Sequence, residues 1–333
     1  MKNLLLLFLL LNFSTLCFSQ QNNAIPLIEK GIAFHDAGEY DKAIKEYEKA
    51  LKIDPNSSLI HYEIGFSYFL KEDYKKAEKY CEKSIELDDQ NLLPSYITLA
   101  NALDMQGQPE KALEVYEKAM KKFDNYLLYY NYALTSLNQG KFDQAYNAVI
   151  KAIKNNSTHA SSHLMLSQIM ENKGNRIKAM LPLYYFLLLE PNSARSKKEY
   201  QNLINYIDVG VEKTSPNNIT VNVPKNDDSD FAAAEIMVSM KKASNTIEEN
   251  KDKTQLELFA ENNKAIFSIL GELKNEKDGF WWDFYVPIFY DFAKSDLTEP
   301  FSYYISISQG EKATQWLAEN EDKFKEFANW FKK

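Results

Sequence analysis

The amino-acid sequence predicts an all-α fold of about five two-helix hairpins, followed by a helical C-terminal domain. The main observation is a repeat, because a set of alanines recurs at intervals of 34, 35, 33 and 34 residues. A fixed period in this range indicates stacked helical units. The second observation is composition, since 45% apolar and 14% aromatic residues suit a chain that packs helices against helices. The recurring alanines are Ala43, Ala77, Ala112, Ala145 and Ala179.

Small residues also recur where the first helix of each hairpin would cross the second. Small side chains at a crossing let two helix axes approach closely while larger neighbours interlock. One hairpin of this size cannot bury its apolar face alone, so we expect the hairpins to stack on one another. The first-helix positions are Gly31, Gly65, Ala100, Ala133 and Ser167. The predicted units are about 24–57, 58–91, 93–126, 126–159 and 160–193.

Turn-forming residues separate the two helices of each predicted hairpin. Glycine at this place suits a left-handed backbone conformation that ends the first helix. Glu72 takes the place of glycine in the second unit. Pro55 and Pro191 end the first and fifth units, because proline cannot continue a helix. The turn glycines are Gly38, Gly107, Gly140 and Gly174.

Taken together, these residues resemble the tetratricopeptide repeat, a family of antiparallel helix pairs that stack into a right-handed superhelix. The resemblance covers residues 24–193, about half of the chain. It implies that the first helix of each unit lines an inner surface, and that this surface binds a protein or peptide partner. The inner-face residues implied by the register are Tyr62, Glu63, Phe66, Phe69, Ile97, Asn101, Tyr130, Asn131 and Leu134.

Two interpretations of this apolar and aromatic face stay open at the level of sequence. In one, Tyr62, Phe66 and Tyr130 anchor a partner segment, because aromatic anchors carry much of the energy of an interface. In the other, the chain's own C-terminal domain covers the face, since large apolar patches are rarely left exposed and unused. An acidic C-terminal peptide is not the expected ligand, because Ile28 and Ile32 stand where carboxylate-binding members of the resembled family carry polar and basic residues.

A different organisation is predicted after residue 193, where the period is lost. Residues 194–212 are interpreted as a capping helix, residues 213–229 as a linker with one short strand near 219–223, and residues 230–333 as a helical domain. The helices expected beyond the linker span about 229–249, 254–274, 280–294 and 311–331. The segment 280–294 is apolar nearly all round, so we expect it to be buried.

An aromatic and acidic cluster lies in this apolar segment. Aromatic rings beside carboxylates can bind sugars, and two carboxylates can hydrolyse a glycosidic bond. An envelope enzyme or a glycan-binding protein is therefore the alternative function. The competing interpretation is an aromatic core, because Asp283 and Asp291 are eight residues apart on a helix that Pro287 would interrupt. The cluster comprises Trp281, Trp282, Asp283, Tyr285 and Asp291.

The N-terminus has the pattern of a secretory signal peptide over residues 1–19. An apolar segment, Leu4–Leu11, follows a basic residue, and Cys17 and Ser19 are small residues at the third and first positions before a cleavage site. As a membrane anchor the segment would be far shorter than the ~20 residues that span a bilayer. A lipid-modified Cys17 is a second alternative, although Leu16 stands where lipoprotein signals carry a small residue. We expect export to the periplasm or cell envelope of a bacterium.

Charge and motif content limit the remaining function classes. The formal net charge of −8 argues against nucleic acid as a partner. The sequence contains no glycine-rich phosphate loop, nucleophile elbow or H-E-x-x-H motif, and no cofactor is predicted. His159 and His163 lack a third ligand nearby, so no metal site is predicted. Cys81 falls on a packing position of the repeat. The sequence therefore favours a non-catalytic scaffold that binds a protein or peptide.

Overall fold

A computed structural model describes residues 24–87, 92–215, 218–223, 229–245, 250–274 and 277–332. The described chain is mainly α-helical and forms two compact units, one ending at residue 155 and one beginning at residue 156. The predicted signal peptide, residues 1–19 with Cys17, lies outside the described residues. Within the described ranges, no helix has both the length and the apolar character needed to cross a bilayer.

The described part of the N-terminal unit consists of four consecutive helical hairpins. The prediction of stacked all-α repeats is confirmed, since each helix pairs with its neighbour along the chain. The helices are α1 (24–36), α2 (Tyr40–Ile53), α3 (Ser58–Leu70), α4 (Tyr74–Leu87), α5 (Leu93–Met105), α6 (Pro109–Met120), α7 (Tyr126–Asn138) and α8 (Phe142–Asn155). We call α1, α3, α5 and α7 the first helices of their hairpins, and α2, α4, α6 and α8 the second helices.

Close helix contacts depend on the small residues of the repeat. A Cβ added to Gly31 would lie 2.3 Å from the ring of Tyr47, and one added to Gly65 would lie 2.7 Å from the sulfur of Cys81. Tyr47 and Cys81 are themselves fully buried, as are the recurring alanines. Glycine at these crossings therefore makes room for the larger side chain on the facing helix.

The turns inside the hairpins adopt the left-handed backbone conformation that the sequence predicts. Glu72 has a φ of 63°, close to that of the turn glycines, so its Cβ is held in a conformation that L-residues adopt only at a cost. The φ angles at Gly38, Gly107, Gly140 and Gly174 lie between 69° and 73°.

The C-terminal unit begins with a fifth hairpin and continues with shorter helices and one pair of strands. Its helical elements are α9 (Ala160–Asn172), α10 (Arg176–Leu189), α11 (Ala194–Asp208), α12 (Ala232–Ser244), α13 (Gln255–Leu273), α14 (Val286–Lys294), α15 (Thr298–Tyr304), α16 (Glu311–Glu319) and α17 (Glu321–Phe331). Thr254 and Glu257 form a capping box at the start of α13, in which each side chain bonds the backbone N–H of the other residue.

The segment between α11 and α12 contains two strands, where the sequence predicts one. β1 (Val211–Ser215) pairs antiparallel with β2 (Asn218–Val221), with Val211 opposite Val221 and an irregularity after Lys213. The sequence of β1, V-E-K-T-S, has one apolar residue and no apolar alternation, so its pattern does not indicate a strand. Its pairing with β2 stabilises it instead.

A buried ion pair joins the fifth hairpin to α12. Arg176 Nε donates to Glu235 Oε2 at 2.6 Å, and both side chains are almost completely buried. The same guanidinium donates to Ser239 Oγ at 3.0 Å and to the carbonyl oxygen of Val209, just beyond α11, at 3.1 Å. The Arg176 guanidinium therefore has hydrogen-bond partners both in α12 and just beyond α11. A buried charge needs such partners, because it has lost its hydrogen bonds to water.

The aromatic segment predicted at 280–294 contains a π-helical turn, Trp281–Tyr285, immediately before α14. The N–H of Val286 donates to the carbonyl oxygen of Trp281, five residues earlier. Pro287 occupies the first turn of α14, where a missing N–H costs little. The wider turn accommodates one additional residue, so the chain stays helical through the proline that the sequence suggests would interrupt it.

The last predicted helix, 311–331, is two helices in the structure. Asn320 separates α16 from α17 with a φ of −117° and a ψ of 45°, outside the helical region. Its side-chain amide donates to the carbonyl oxygen of Trp316 at 2.9 Å, and this satisfies part of the α16 terminus. Asparagine competes for backbone hydrogen bonds in this way, and no glycine or proline marks the break.

Candidate functional site

The first helices lie on the inner side of the stacked N-terminal hairpins. α3 contacts α5 and α5 contacts α7, whereas no comparable contact joins successive second helices in the described part of this unit. Side chains make the same link, since His35 Nδ1 of α1 lies 2.9 Å from Ser67 Oγ of α3. Thr135 of α7 likewise donates to Asp104 of α5 at 3.0 Å. Helices that approach one another more closely form the inner side of a curved stack. We call the surface of α1, α3, α5 and α7 the inner face.

The two sets of helices have different surfaces. The second helices are amphipathic, with small and aromatic residues buried on one side and lysines and glutamates on the other. In contrast, α3, α5 and α7 carry apolar residues on both sides. Most of the large apolar side chains that the N-terminal unit exposes therefore belong to first helices, a distribution typical of a surface that a partner covers. These first-helix residues are Ile25, Ile32, Leu70, Met105 and Leu134.

An aromatic stack crosses from α1 to α3 on the inner face. The rings of Tyr62 and Phe66 are stacked with centroids 5.8 Å apart, and the ring of His35 stacks on Phe66 at 5.0 Å. Burial lowers the pKa of His35, which favours a neutral ring at pH 7. Tyr62 and Phe66 remain partly exposed. The structure thus brings two of the predicted anchors together and adds His35, which the sequence analysis did not single out.

The other predicted apolar anchors lie on separate hairpins. The ring of Phe69 packs against Tyr74 of α4 with centroids 5.6 Å apart. Ile97 of α5 and Tyr130 of α7 are half-buried, and Leu134 of α7 is 38% exposed. Which of these side chains contact a partner stays a prediction.

Two of the predicted polar residues hydrogen-bond to buried tyrosines. Glu63 Oε2 accepts from the hydroxyl of Tyr47 at 3.3 Å, and Asn101 accepts from the hydroxyl of Tyr116. Burial raises the pKa of Glu63, and the negative charge of Asp36 raises it further. Glu63 and Asn101 therefore satisfy the polar ends of core tyrosines whether or not they contact a partner. Asn131, the third predicted polar residue, is half-buried on α7.

Two acidic residues of the inner face were missed by sequence reasoning. Asp36 is the last residue of α1 and is exposed, and Asp104 is near the end of α5 and accepts the Thr135 hydrogen bond. Both occupy a register position close to that of Phe69 in the second hairpin. Carrying the position of Phe69 from one repeat to the next would have identified both residues. A search that looks only for aromatic anchors passes over them, because they are acidic.

The aromatic residues of the C-terminal cluster are part of a core. Trp281 is 6% exposed and Trp282 is 3% exposed, while Tyr285 is fully buried. Trp281 stacks on Tyr285, and Trp282 stacks on Phe231 with ring centroids 4.6 Å apart. A sugar ring stacks on an exposed aromatic face, and neither tryptophan presents one. The packing favours the interpretation as core over the glycan-binding alternative.

The two carboxylates of the cluster have different neighbours. Asp283 is exposed and accepts a hydrogen bond from the backbone N–H of Gly279 at 2.9 Å, so it acts as a cap on the helical segment. Asp291 accepts a hydrogen bond from the indole N–H of Trp330 in α17. Each carboxylate thus stabilises local structure through a hydrogen-bond partner of its own.

His163 is buried and its two ring nitrogens are engaged. Nε2 lies 2.9 Å from the carbonyl oxygen of Ser157, which can only accept, so this nitrogen carries the proton. Nδ1 then accepts from the hydroxyl of Tyr285 at 2.7 Å. Burial lowers the pKa of His163 to about 4. Across the described ranges, no group of three histidine, cysteine or acidic side chains is arranged to hold a metal ion.

Comparison with known families identifies the repeats. One family profile, described as TPR repeat, matches residues 31–71. Two more, described as Tetratricopeptide repeat, match residues 57–125 and 97–160. No curated protein matches the chain.

Solved structures of helical-repeat proteins are similar to part of the chain. A structure reported in the functional characterization of Pseudomonas aeruginosa pilF is 19% identical, with a TM-score of 0.50, and the match covers 57% of this chain and 90% of that one. YrrB, described as a TPR protein with an unusual peptide-binding site, is 24% identical with a TM-score of 0.42, covering 50% of this chain and 87% of that one. PilW, described as a type IV pilus biogenesis factor, is 16% identical with a TM-score of 0.46, covering 55% and 90%. At these identities the likeness concerns the fold alone.

Proposed function

Because the chain is a tetratricopeptide repeat protein, with repeats matched over residues 31–160, we propose that it is an exported, non-catalytic scaffold. Its inner face binds a segment of a partner protein in the cell envelope. The single observation that carries the proposal is the asymmetry of the two helix sets. The first helices expose apolar side chains such as Met105, which is 59% exposed, whereas the second helices present charged residues to water.

The aromatic stack supports the same proposal. Rigid rings lose little conformational entropy on binding, and aromatic residues are enriched among the side chains that dominate interface energies. The Tyr62–Phe66 pair is already ordered by its contact with His35 and by the His35–Ser67 hydrogen bond. A partner segment would therefore meet a preformed surface, with little cost of rearrangement.

Site-directed crosslinking tests where the partner binds. A photoreactive amino acid replaces Leu134 on α7 in the full-length protein, and a matched variant carries it at Glu114 on the exposed side of α6. We expect a specific crosslinked protein from the Leu134 position and none from the Glu114 position. Equal labelling from both positions would contradict an inner-face site.

Truncation of the anchors tests the affinity. Each buried anchor is typically worth about 2 kcal/mol, so Phe66→Ala with Tyr130→Ala should weaken binding of the crosslinked partner by about a thousandfold. The matched control is Phe142→Ala with Tyr146→Ala, which removes the same two residue types from α8. Circular dichroism confirms that both variants fold. Unchanged affinity in the first variant would contradict the proposal.

Export is proposed from the sequence of residues 1–19, together with the envelope location. The expected mature protein begins at Gln20 and is found in the envelope fraction of the native host. N-terminal sequencing of the protein from that fraction checks this. A mature terminus at Cys17 carrying acyl chains would instead establish the lipid-anchored alternative, and an intact N-terminus in the cytoplasm would contradict export.

A further inference from the structure

The inner face carries an uneven charge. α3, α5 and α7 contain no lysine or arginine, and the one lysine of α1, Lys30, extends to Glu46 of α2 at 3.1 Å. The second helices carry more lysines, since α2 and α4 contain four each and α6 and α8 contain two each. The carboxylates that remain on the first helices are Glu29, Asp36, Glu63 and Asp104.

These four carboxylates are not in ion pairs with any described lysine or arginine. Several lysines of the second helices are in ion pairs with other carboxylates, for example Lys76 with Asp73 at 3.0 Å and Lys83 with Glu86 at 3.0 Å. The surface around the first helices thus retains negative charge that the protein does not neutralise. Asp36 and Glu63 are close enough for the charge of Asp36 to raise the pKa of Glu63, a sign of mutual repulsion.

Helix polarity adds to the negative potential. The C-terminal end of a helix carries a partial negative charge, which basic residues in the last turn commonly offset. None of α3, α5 and α7 has a basic residue in its last turn. Asp36 ends α1, and Asp104 precedes the last residue of α5. Two carboxylates therefore lie where helix termini are already negative.

Apolar side chains lie beside these carboxylates along the chain. Ile32 is one helical turn before Asp36 on α1, and Met105 directly follows Asp104 on α5. Ile32 is 40% exposed. A ligand that covers this surface must provide apolar groups and positive charges at short spacing.

We propose that the partner segment is a basic, apolar peptide in which lysine or arginine alternates with large aliphatic or aromatic residues. This inference rests on the proposed function, because it specifies the ligand of the same inner face. The cationic groups would lie against Asp36 and Asp104, while the apolar groups would cover Ile32, Met105 and the Tyr62–Phe66 stack. Complementary charge of this kind selects a partner and speeds its association.

The test compares three labelled peptides of equal length by fluorescence anisotropy with the full-length protein. One alternates leucine with lysine, the second leucine with serine and the third leucine with glutamate. We expect the leucine–lysine peptide to bind about tenfold more tightly than the leucine–serine peptide, and its affinity to fall as salt is added. The leucine–glutamate peptide should bind most weakly.

Charge-neutral variants separate the inner face from the general negative charge of the protein. Glu29→Gln, Asp36→Asn and Asp104→Asn are combined, and asparagine at 104 can still accept the Thr135 hydrogen bond. The control combines Glu48→Gln, Glu82→Gln and Glu114→Gln on the second helices, which removes the same charge. The inner-face variant should lose the roughly tenfold preference for the basic peptide, and the control should keep it.

Each outcome bears on a different conclusion. If all three peptides bind equally, and Phe66→Ala with Tyr130→Ala abolishes that binding, the inner face binds peptides and the inference of a basic partner is wrong. Equal losses in the inner-face variant and the control would also overturn it, because the attraction would then come from net charge. If no peptide binds and the Leu134 crosslinker captures nothing, both the inference and the proposed function fail.

Discussion

His163 should make the stability of the C-terminal unit depend on pH between neutrality and pH 4. Burial lowers its pKa from 6.5 to about 4. Below pH 6.5 the unfolded chain binds a proton that the folded chain does not, so the protonated form favours unfolding. The stabilisation is complete above pH 6.5 and is lost as the pH falls toward 4. The full shift corresponds to ~3 kcal/mol, of which ~2 kcal/mol should be lost by pH 5.

The assay is urea unfolding followed by tryptophan fluorescence at pH 7, 6 and 5. All four tryptophans, at positions 281, 282, 316 and 330, lie in the C-terminal unit, so the signal reports on that unit alone. The perturbation is His163→Gln, whose amide N–H can still donate to the Ser157 carbonyl but cannot be protonated. Wild-type protein should lose ~2 kcal/mol more than the variant between pH 7 and pH 5. Carboxylates also titrate in this pH range, but they contribute equally to the unfolding free energies of the two proteins, so their contribution cancels in the difference.

The result is decided by how steeply the free energy of unfolding changes with pH in each protein. Its absolute value at one pH is not decisive, because His163→Gln also loses packing contacts at every pH. His159→Gln is the matched control, since His159 is only half-buried and its pKa is lowered by burial to a lesser extent. It should reduce the pH dependence less than His163→Gln does. Parallel pH profiles for wild type and His163→Gln would refute the reasoning. A directly observed ring titration of His163 near pH 6.5 would refute it independently.

Three further predictions concern stability and reactivity. Glu72→Gly should raise the free energy of unfolding of the N-terminal unit by about 1 kcal/mol in urea titrations, because glycine tolerates the φ of 63°; a loss of stability would contradict this. Arg176→Met should destabilise the C-terminal unit by ~3–5 kcal/mol, since it leaves Glu235 buried and unpaired; a thermal-melting change within error would contradict it. The thiol of Cys81 should react with a thiol reagent only after unfolding, because burial raises its pKa to about 12; fast reaction of the native protein would contradict this.

The hairpins could be predicted because their signals are local and repeated. A glycine in each turn and an alanine at each crossing act over a few residues, and the structure places both where the sequence does. Even the exception at Glu72 follows, since the fold requires a left-handed residue there whatever its type. Repetition let weak signals reinforce one another from copy to copy.

Features that depend on distant residues were not predictable. The environment of His163 is set by Tyr285, 122 residues away, and no pattern in the sequence relates them. β1 exists through its pairing with β2, and the break at Asn320 has no proline or glycine to announce it. At the candidate site, the register located the inner-face helices, whereas the hydrogen bonds of Glu63 and Asn101 to core tyrosines required the structure.

The π turn before α14 holds one residue more than an ordinary helical turn, since the Val286 N–H bonds the carbonyl oxygen of Trp281, five residues earlier. The wider turn absorbs this residue, so the helix on its two sides keeps the phase of an uninterrupted α-helix. A deletion in the regular helix of α14 would rotate one side against the other by about 100°. A deletion within Trp281–Tyr285 would keep that phase, but it would remove or displace side chains that fill the core, among them Trp281 and Trp282. An insertion of this kind is difficult to lose once the side chains on both sides have packed around it.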